Sequence, residues 1–488
     1  MGLTAGLVAP HLFSSCKKEK IVPTINYNGS IAIIGAGAAG LYAADILSSK
    51  GLKVTVLEAS SRFGGRIRSF SANDITNNNA TAAYLYNNAY TPLNDFPIEL
   101  GGDIIYGSDS SLGNITQILS VPLIDLGTAT DNYFLGGQVN NASGWQGDSD
   151  FQAVQNFVST LNGNTSNASI QSAAGVSTRA QSLLNSEASN LYGSTYDLVS
   201  ASGVGGELHL RQHDTKRLTV KSNTLQDILL SRFSNAIKLV LFNTAVTSID
   251  YSGEKINITD KNGKQYQVDK AIVTVPLTIL QGGDIAFTPS LPSINTAAAQ
   301  KFGMDPCFRM IIDFKKNFWG SNSGFLWGGS FGPQYMNGGY NRGTFNSTLV
   351  VTAYGQPALH LSQQPGLTAV NLILNELDSL YPDTSGNYPG LASKWVIRQT
   401  IFNNGVPQET DPVVTSYDWL KEPYIRGGIS YPLVGSTHQD RISLGTNVNN
   451  RIFFAGEATD ISGDAGTISG ALNSADRATK ELIQSITA

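Results

Sequence analysis

The feature that most constrains this chain is a short run of β-branched residues that empties directly into a glycine turn. Ser30-Ile31-Ala32-Ile33-Ile34 has the unbroken apolar pattern of a strand buried in a parallel sheet. Gly35-Ala36-Gly37-Ala38-Ala39-Gly40 follows without a gap, residues 38–49 (AAGLYAADILSS) have helix-compatible composition, and Gly51 is placed to close that helix. Lys53–Leu57 then reads as a second strand that ends in Glu58, 23 positions after Gly35.

Strand, turn, helix and strand in this order predict a unit that holds a dinucleotide. Gly35 permits the tight turn, Gly37 lets backbone N–H groups reach a pyrophosphate, and Gly40 lets the helix lie close to the strand. The helix start adds partial positive charge for the phosphates. An acid roughly 20 residues beyond the first glycine can accept from a ribose hydroxyl, and a carboxylate there selects an unphosphorylated adenosine ribose. NAD and FAD satisfy these demands equally.

The residues after Glu58 separate the two. Ala59-Ser60-Ser61-Arg62-Phe63-Gly64-Gly65-Arg66 resembles the E-x-x-x-R-x-G-G-R signature of the flavin-containing amine oxidases, which include monoamine, polyamine and L-amino-acid oxidases and histone-lysine demethylases. The resemblance recurs in family order. Ile98-Glu99-Leu100-Gly101-Gly102-Asp103 is similar to the segment that passes the flavin face, and Ala271–Leu277 to the strand-then-proline element of the FAD domain. Phe308–Trp319 resembles a strand entering the substrate domain, and Trp419, Glu422-Pro423-Tyr424 and Gly427-Gly428 resemble the W-x-x-x-P-Y-x-x-G segment. Arg451–Thr459 with Gly466-Thr467-Ile468-Ser469-Gly470-Ala471 resembles the C-terminal flavin motif.

The resemblance implies an α/β fold: a Rossmann-like FAD-binding domain with an interleaved α+β substrate domain. The expected FAD-binding segments are 30–108, 216–290 and 410–488, and the expected substrate-domain segments are 109–215 and 291–409. Within 150–215, stretches rich in Ala, Ser, Leu and Asn are compatible with a helical cover. It implies FAD contacts from Gly35, Gly37, Ala38, Ala39, Gly40, Glu58, Ala59, Arg62, Gly64, Gly65, Arg66, Gly101, Gly102, Asp103, Val246, Gly456, Glu457, Gly466, Thr467 and Ile468, with Arg66 near the pyrophosphate and flavin and Glu457 on the ribityl chain.

Three positions depart from the family pattern. Arg309 aligns with the lysine that many members place beneath flavin N5, and a guanidinium cannot serve as a tunable base. Facing the flavin, Arg309 would favour an α-amino acid or other acidic substrate; as an ordinary strand residue it would pair with Asp313 or Asp305. The two aromatics that flank the amine in several members align with Ile429 and Thr467, leaving Tyr431 as the nearest aromatic on the substrate side.

The implied chemistry is hydride transfer from an amine or amino acid to flavin, with molecular oxygen as acceptor and peroxide released. Such chemistry asks the protein mainly to position a C–H bond and exclude water. Desaturation or isomerisation of a C–C bond in an apolar substrate, and flavin binding without turnover, remain open alternatives. Gly328-Gly329-Ser330-Phe331-Gly332 fits G-x-S-x-G, but Pro333 follows where a nucleophile elbow needs a helix.

Composition narrows the field further. At 488 residues the chain allows two or more domains. A net charge of −5 with no basic run beyond Lys17-Lys18-Glu19-Lys20 gives no footprint for nucleic acid. Only Cys16 and Cys307 are present, which excludes a disulfide framework and a thioether to flavin in the C-terminal motif. The five histidines include His209 and His213 four apart, with no third ligand nearby. Residues 2–13 form an apolar stretch, too short to span a bilayer at about 20 residues but suited to a signal-peptide core. Leu12-Phe13-Ser14-Ser15-Cys16 resembles a bacterial lipobox, with Phe13 where Leu is usual and no positive residues ahead, and MGLTAGLVAP resembles the interior of a twin-arginine signal. The expectation is an exported, periplasmic or cell-envelope protein anchored by a lipid on Cys16.

Overall fold

The computed structural model describes residues 24–70, 96, 98–343, 346–403 and 406–487. Cys16 and the signal-like segment lie outside the described residues. A five-stranded parallel sheet forms in the order Val240–Leu241, Lys53–Leu57, Ser30–Ile34, Lys270–Val273, Ile452–Phe454. The strand Ser30–Ile34 lies at its centre and is sealed on both faces, which explains its unbroken apolar run. Ile31 and Ile33 pack beneath the helix Ala38–Ser49 and the C-terminal helix Ile468–Thr487, through Leu41, Leu47, Leu472 and Leu482. Ala32 and Ile34 face a four-stranded sheet instead, meeting Ile249 and Ile258.

A seven-stranded sheet forms the second lobe, in the order Val414–Asp418, Cys307–Asp313, Thr348–Tyr354, Gln334–Asn337, Ser323–Trp327, Thr130–Leu135, Gln138–Asn141. Every neighbouring pair is antiparallel except Ser323–Trp327 with Thr130–Leu135. Its strands come from 130–141 and 307–418, so the lobe is interleaved in sequence. The strand Val414–Asp418 falls within the expected FAD-binding segment 410–488, yet it is an edge of this sheet, paired through Arg309–Tyr417 and Ile311–Thr415. That boundary moves C-terminally, because strand pairing with Cys307–Asp313 decides the lobe.

Period-2 alternation sorts the strand Cys307–Asp313, which lies next to the edge strand. Phe308, Met310 and Ile312 join an apolar cluster under the helices Gly355–Ser362 and Thr368–Leu380, while Cys307 and Ile311 belong to the cluster on the opposite face. Arg309 therefore shares the face of Cys307 and Ile311. Residues 149–210 contribute four short helices, Ser149–Ser159, Ile170–Ala174, Gln181–Ala188 and Ala201–Leu210. No helix among the described residues is long and apolar enough to cross a membrane.

Candidate active site

A long cavity joins the glycine turn of the first lobe to the seven-stranded sheet of the second. At its near end Gly35 adopts φ +108°, a conformation that side chains resist, and a Cβ on Gly40 would overlap the Gly35 carbonyl oxygen. Gly35 and Gly40 thus shape the turn from behind, whereas Gly37, Ala38 and Ala39 line the cavity. A Cβ on Gly37 would meet no atom within 4 Å, and no side chain caps the helix that starts at Ala38. The first amides of that helix are left for a ligand.

Glu58 braces the same turn. One carboxylate oxygen accepts from the Ala36 amide at 2.7 Å, and the other accepts from the Ser60 amide at 2.9 Å and the Ser60 hydroxyl at 2.7 Å. Both Glu58 and Ser60 line the cavity, while Ala59 between them does not. The following loop is drawn onto the turn by the Gly64 amide, which donates to the Ala36 carbonyl at 2.8 Å. Arg62, Gly64, Gly65 and Arg66 all line the cavity.

Arg66 and Glu457 meet across 391 positions of sequence, Nη1 to Oε1 at 2.6 Å. Arg66 Nη1 also donates to the Gly428 carbonyl at 2.9 Å, and its Nε and Nη2 have no partner among the described residues. Glu457 accepts further from the Ser430 hydroxyl at 2.6 Å and the Gly466 amide at 2.9 Å. Burial alone would raise the Glu457 pKa, but Arg66 and the Ser430 hydroxyl outweigh it and hold the carboxyl below its ordinary value. Glu457 lines the cavity with Gly456, Gly466, Thr467 and Ile468. The Thr467 hydroxyl is engaged locally, donating to Asp464 and accepting from the Gly470 amide at 3.0 Å, so it caps the C-terminal helix.

The far end is built by Gly101, Gly102, Asp103 and Ile104 from one side and by Cys307, Arg309, Gln334, Thr352 and Tyr354 of the large sheet from the other. Leu191, Tyr192, Tyr106, Glu207 and Arg211 complete it. Arg309 is buried, and neither Asp305 nor Asp313 is its partner. Its Nη2 donates to Asp103, its Nη1 donates to the Gly101 carbonyl at 2.9 Å, and its Nε has no hydrogen bond. Burial works against the guanidinium charge, and Asp103 more than restores it. Asp305 instead accepts from Ser194, and Asp313 from Thr348.

Burial pushes the Tyr192 hydroxyl and the Cys307 thiol up to about 12, and raises Tyr106 and Tyr354 as well. All four stay protonated near neutral pH, so none is a base there. The aromatic wall is thus supplied by Tyr106, Tyr192 and Tyr354, which sequence reading missed because they come from three unrelated segments with no local pattern.

Like Gly35, Gly40 and Ala59, two more of the expected contacts lie outside the cavity lining. Tyr431 pairs in a short strand with Gly303, packs in the core, and turns its hydroxyl toward Asp305 and Ser194; the strand alternation gives Ser430 to the cavity. Val246 opens a strand of the four-stranded sheet and is packed with Ile34 and Leu57. Ile429 lines the cavity.

An uncapped helix start, an open glycine, a carboxylate at the strand end and an arginine with free donors fit a dinucleotide, and the cavity's reach into the second lobe fits one that carries its reactive ring there. Residues 33–108 match a model described as NAD(P)-binding Rossmann-like domain, and residues 226–483 match one described as Flavin containing amine oxidoreductase. Lysine-specific histone demethylase 1B of Mus musculus is 24% identical over 474 residues, covering 93% of this chain and 53% of that protein. Polyamine oxidase 4 of Oryza sativa subsp. japonica is 28% identical, covering 50% of this chain and 46% of that protein. The chain spans about half the length of the curated relatives it matches. Among solved structures, cyclohexylamine oxidase from Brevibacterium oxydans superposes with a TM-score of 0.70 at 16% identity, over 94% of this chain and 100% of that one. Putrescine oxidase bound to putrescine gives a TM-score of 0.70 at 16% identity, over 93% and 99%. The fold, the glycine turn and a family match over more than half its length place the chain in the flavin containing amine oxidoreductase family, with FAD as its cofactor.

Proposed function

We propose that this chain oxidises a small amine that carries no carboxylate, with molecular oxygen as electron acceptor and peroxide as product. The observation that carries the reading is the closed state of Arg309, whose guanidinium is already held by Asp103 and the Gly101 carbonyl. A free guanidinium at that place would have favoured an α-amino acid; an occupied one does not. FAD, when bound, supplies the redox chemistry by accepting a hydride at N5.

The chain's own residues bind and orient. Gly37, Ala38 and Ala39 would present backbone amides to a pyrophosphate, Arg66 would add a cation, and Glu58 would offer acceptors to the ribose. Tyr106, Tyr192 and Tyr354 form an aromatic wall against which an amine can be held, and neither their hydroxyls nor the Cys307 thiol is poised to take its proton. Hydrolysis of the imine product in solution requires nothing from the protein. The likeness to polyamine, putrescine and cyclohexylamine oxidases supports an amine as substrate.

The test is a peroxide-release screen of the FAD-loaded protein over benzylamine, cyclohexylamine, putrescine, L-leucine and L-phenylalanine. Peroxide from amines without turnover of the amino acids is expected; turnover of the amino acids alone overturns the reading. We further propose export and lipid anchoring through Cys16. Intact-mass measurement of native protein should find a lipid on Cys16, and an unmodified Met1 terminus rejects it.

A further inference from the structure

We infer that Asp103 is a built-in occupant of the Arg309 anion site, and that it sets the site's selectivity by keeping carboxylates out. The inference deepens the amine reading by naming the residue that excludes acids. Arg309 and Asp103 both line the cavity, with side chains 5% and 13% exposed. The guanidinium offers one edge to the Gly101 carbonyl and to Asp103, and its Nε, on the remaining edge, has no partner.

A buried guanidinium and a carboxylate form the strong, charge-assisted pair that an acidic ligand would otherwise make. Here the chain brings its own carboxylate across 206 positions of sequence. Supplied intramolecularly, that carboxylate has an effective concentration in the millimolar range or above, which a dissolved acid must exceed before it can displace it. Asp103 follows directly on Gly101-Gly102, whose backbone is pinned: the Gly102 amide donates to the Arg66 carbonyl at 3.3 Å, and a Cβ on Gly101 would overlap that same oxygen. The backbone leading to Asp103 is therefore held in place, which keeps its carboxylate beside Arg309 as a mask. Removing the carboxylate leaves a buried cation without its counter-charge, which is the condition for recruiting a small anion from solution.

The experiment measures binding, so it is independent of turnover. Acetate and benzoate are titrated calorimetrically into the full, FAD-loaded chain at fixed ionic strength, for wild type, Asp103→Ala, Asp103→Asn and Asp103→Ala combined with Arg309→Met. Wild type should show no saturable binding. Asp103→Ala should bind both carboxylates at least about tenfold more tightly, Asp103→Asn should fall between, and the double variant should lose the gain. Turnover should follow, with Asp103→Ala accepting amino acids that wild type rejects. Saturable carboxylate binding to wild type overturns the inference, as does a double variant that keeps the gain. A folded Asp103→Ala or Asp103→Asn that binds neither acid also overturns it. Should no amine be oxidised while the binding pattern holds, the amine reading fails and the mask stands.

Discussion

Gly37 and Gly40 belong to one glycine motif, yet the structure gives them opposite roles, and replacing each by alanine separates them. Gly37 has φ −72° and ψ −178°, which any residue adopts, and a Cβ there meets nothing within 4 Å. Gly37→Ala should thus fold normally and gain about 0.4–1 kcal/mol from a less flexible unfolded chain. Its methyl would stand where a phosphate must approach, so FAD affinity should fall at least about tenfold, ~1.4 kcal/mol. At Gly40 the added methyl overlaps the Gly35 carbonyl oxygen and lies 3.0 Å from its carbon and 3.1 Å from Thr274 Oγ1. Two of these neighbours are backbone atoms of a buried turn, so the helix must shift. Overpacking of this kind costs about 3 kcal/mol, and the better helix propensity of alanine returns only about 1 kcal/mol. Gly40→Ala should therefore lose about 2 kcal/mol, the difference of those two terms. Urea denaturation of FAD-free protein reads the stability, and titration by flavin fluorescence quenching reads the affinity. A Gly37→Ala protein that binds FAD like wild type, or a Gly40→Ala protein as stable as wild type, refutes the division of roles.

Two further outcomes follow from the geometry. Tyr431→Phe should leave KM for amines unchanged and lower stability by about 1 kcal/mol, because the hydroxyl contacts Asp305 and Ser194 rather than the cavity; a raised KM would return Tyr431 to the substrate wall. Glu99 is buried, which pushes its carboxyl from 4.5 up to about 7 despite hydrogen bonds from Ser69 and the Leu225 amide. Between those two values the unfolded chain gives up a proton that the folded chain keeps, so this group costs stability as pH rises through that window. Glu99→Gln should flatten the decline in melting temperature between about pH 5 and 7, and a profile parallel to wild type contradicts the assignment.

The dinucleotide end was legible in sequence because its rules are local. A turn at positive φ, a helix start and a strand end each demand particular residues within a few positions, and Gly35, Gly37 and Glu58 satisfy those demands in order. The far end obeys no such rule. Asp103 and Arg309 lie 206 positions apart, and only the pairing of the seven-stranded sheet fixes Arg309 on the cavity face. Reading Arg309 against nearby acids suggested Asp305 and Asp313, which the fold commits to Ser194 and Thr348. Tyr431 carries the nearest aromatic ring in sequence, whereas the phase of its strand gives Ser430 to the cavity instead. Thr467 lines the cavity, and its hydroxyl is used to start a helix.

The order of strands in the parallel sheet has a consequence for synthesis. Lys270–Val273 is flanked on one side by Ser30–Ile34 and on the other by Ile452–Phe454, the last of the described strands to leave the ribosome. Such long-range pairing delays completion of the sheet until Ile452–Phe454 has been made. Glu457 and the helix Ile468–Thr487 emerge later still, so a nascent chain that lacks them holds only part of the residues that would grip the cofactor.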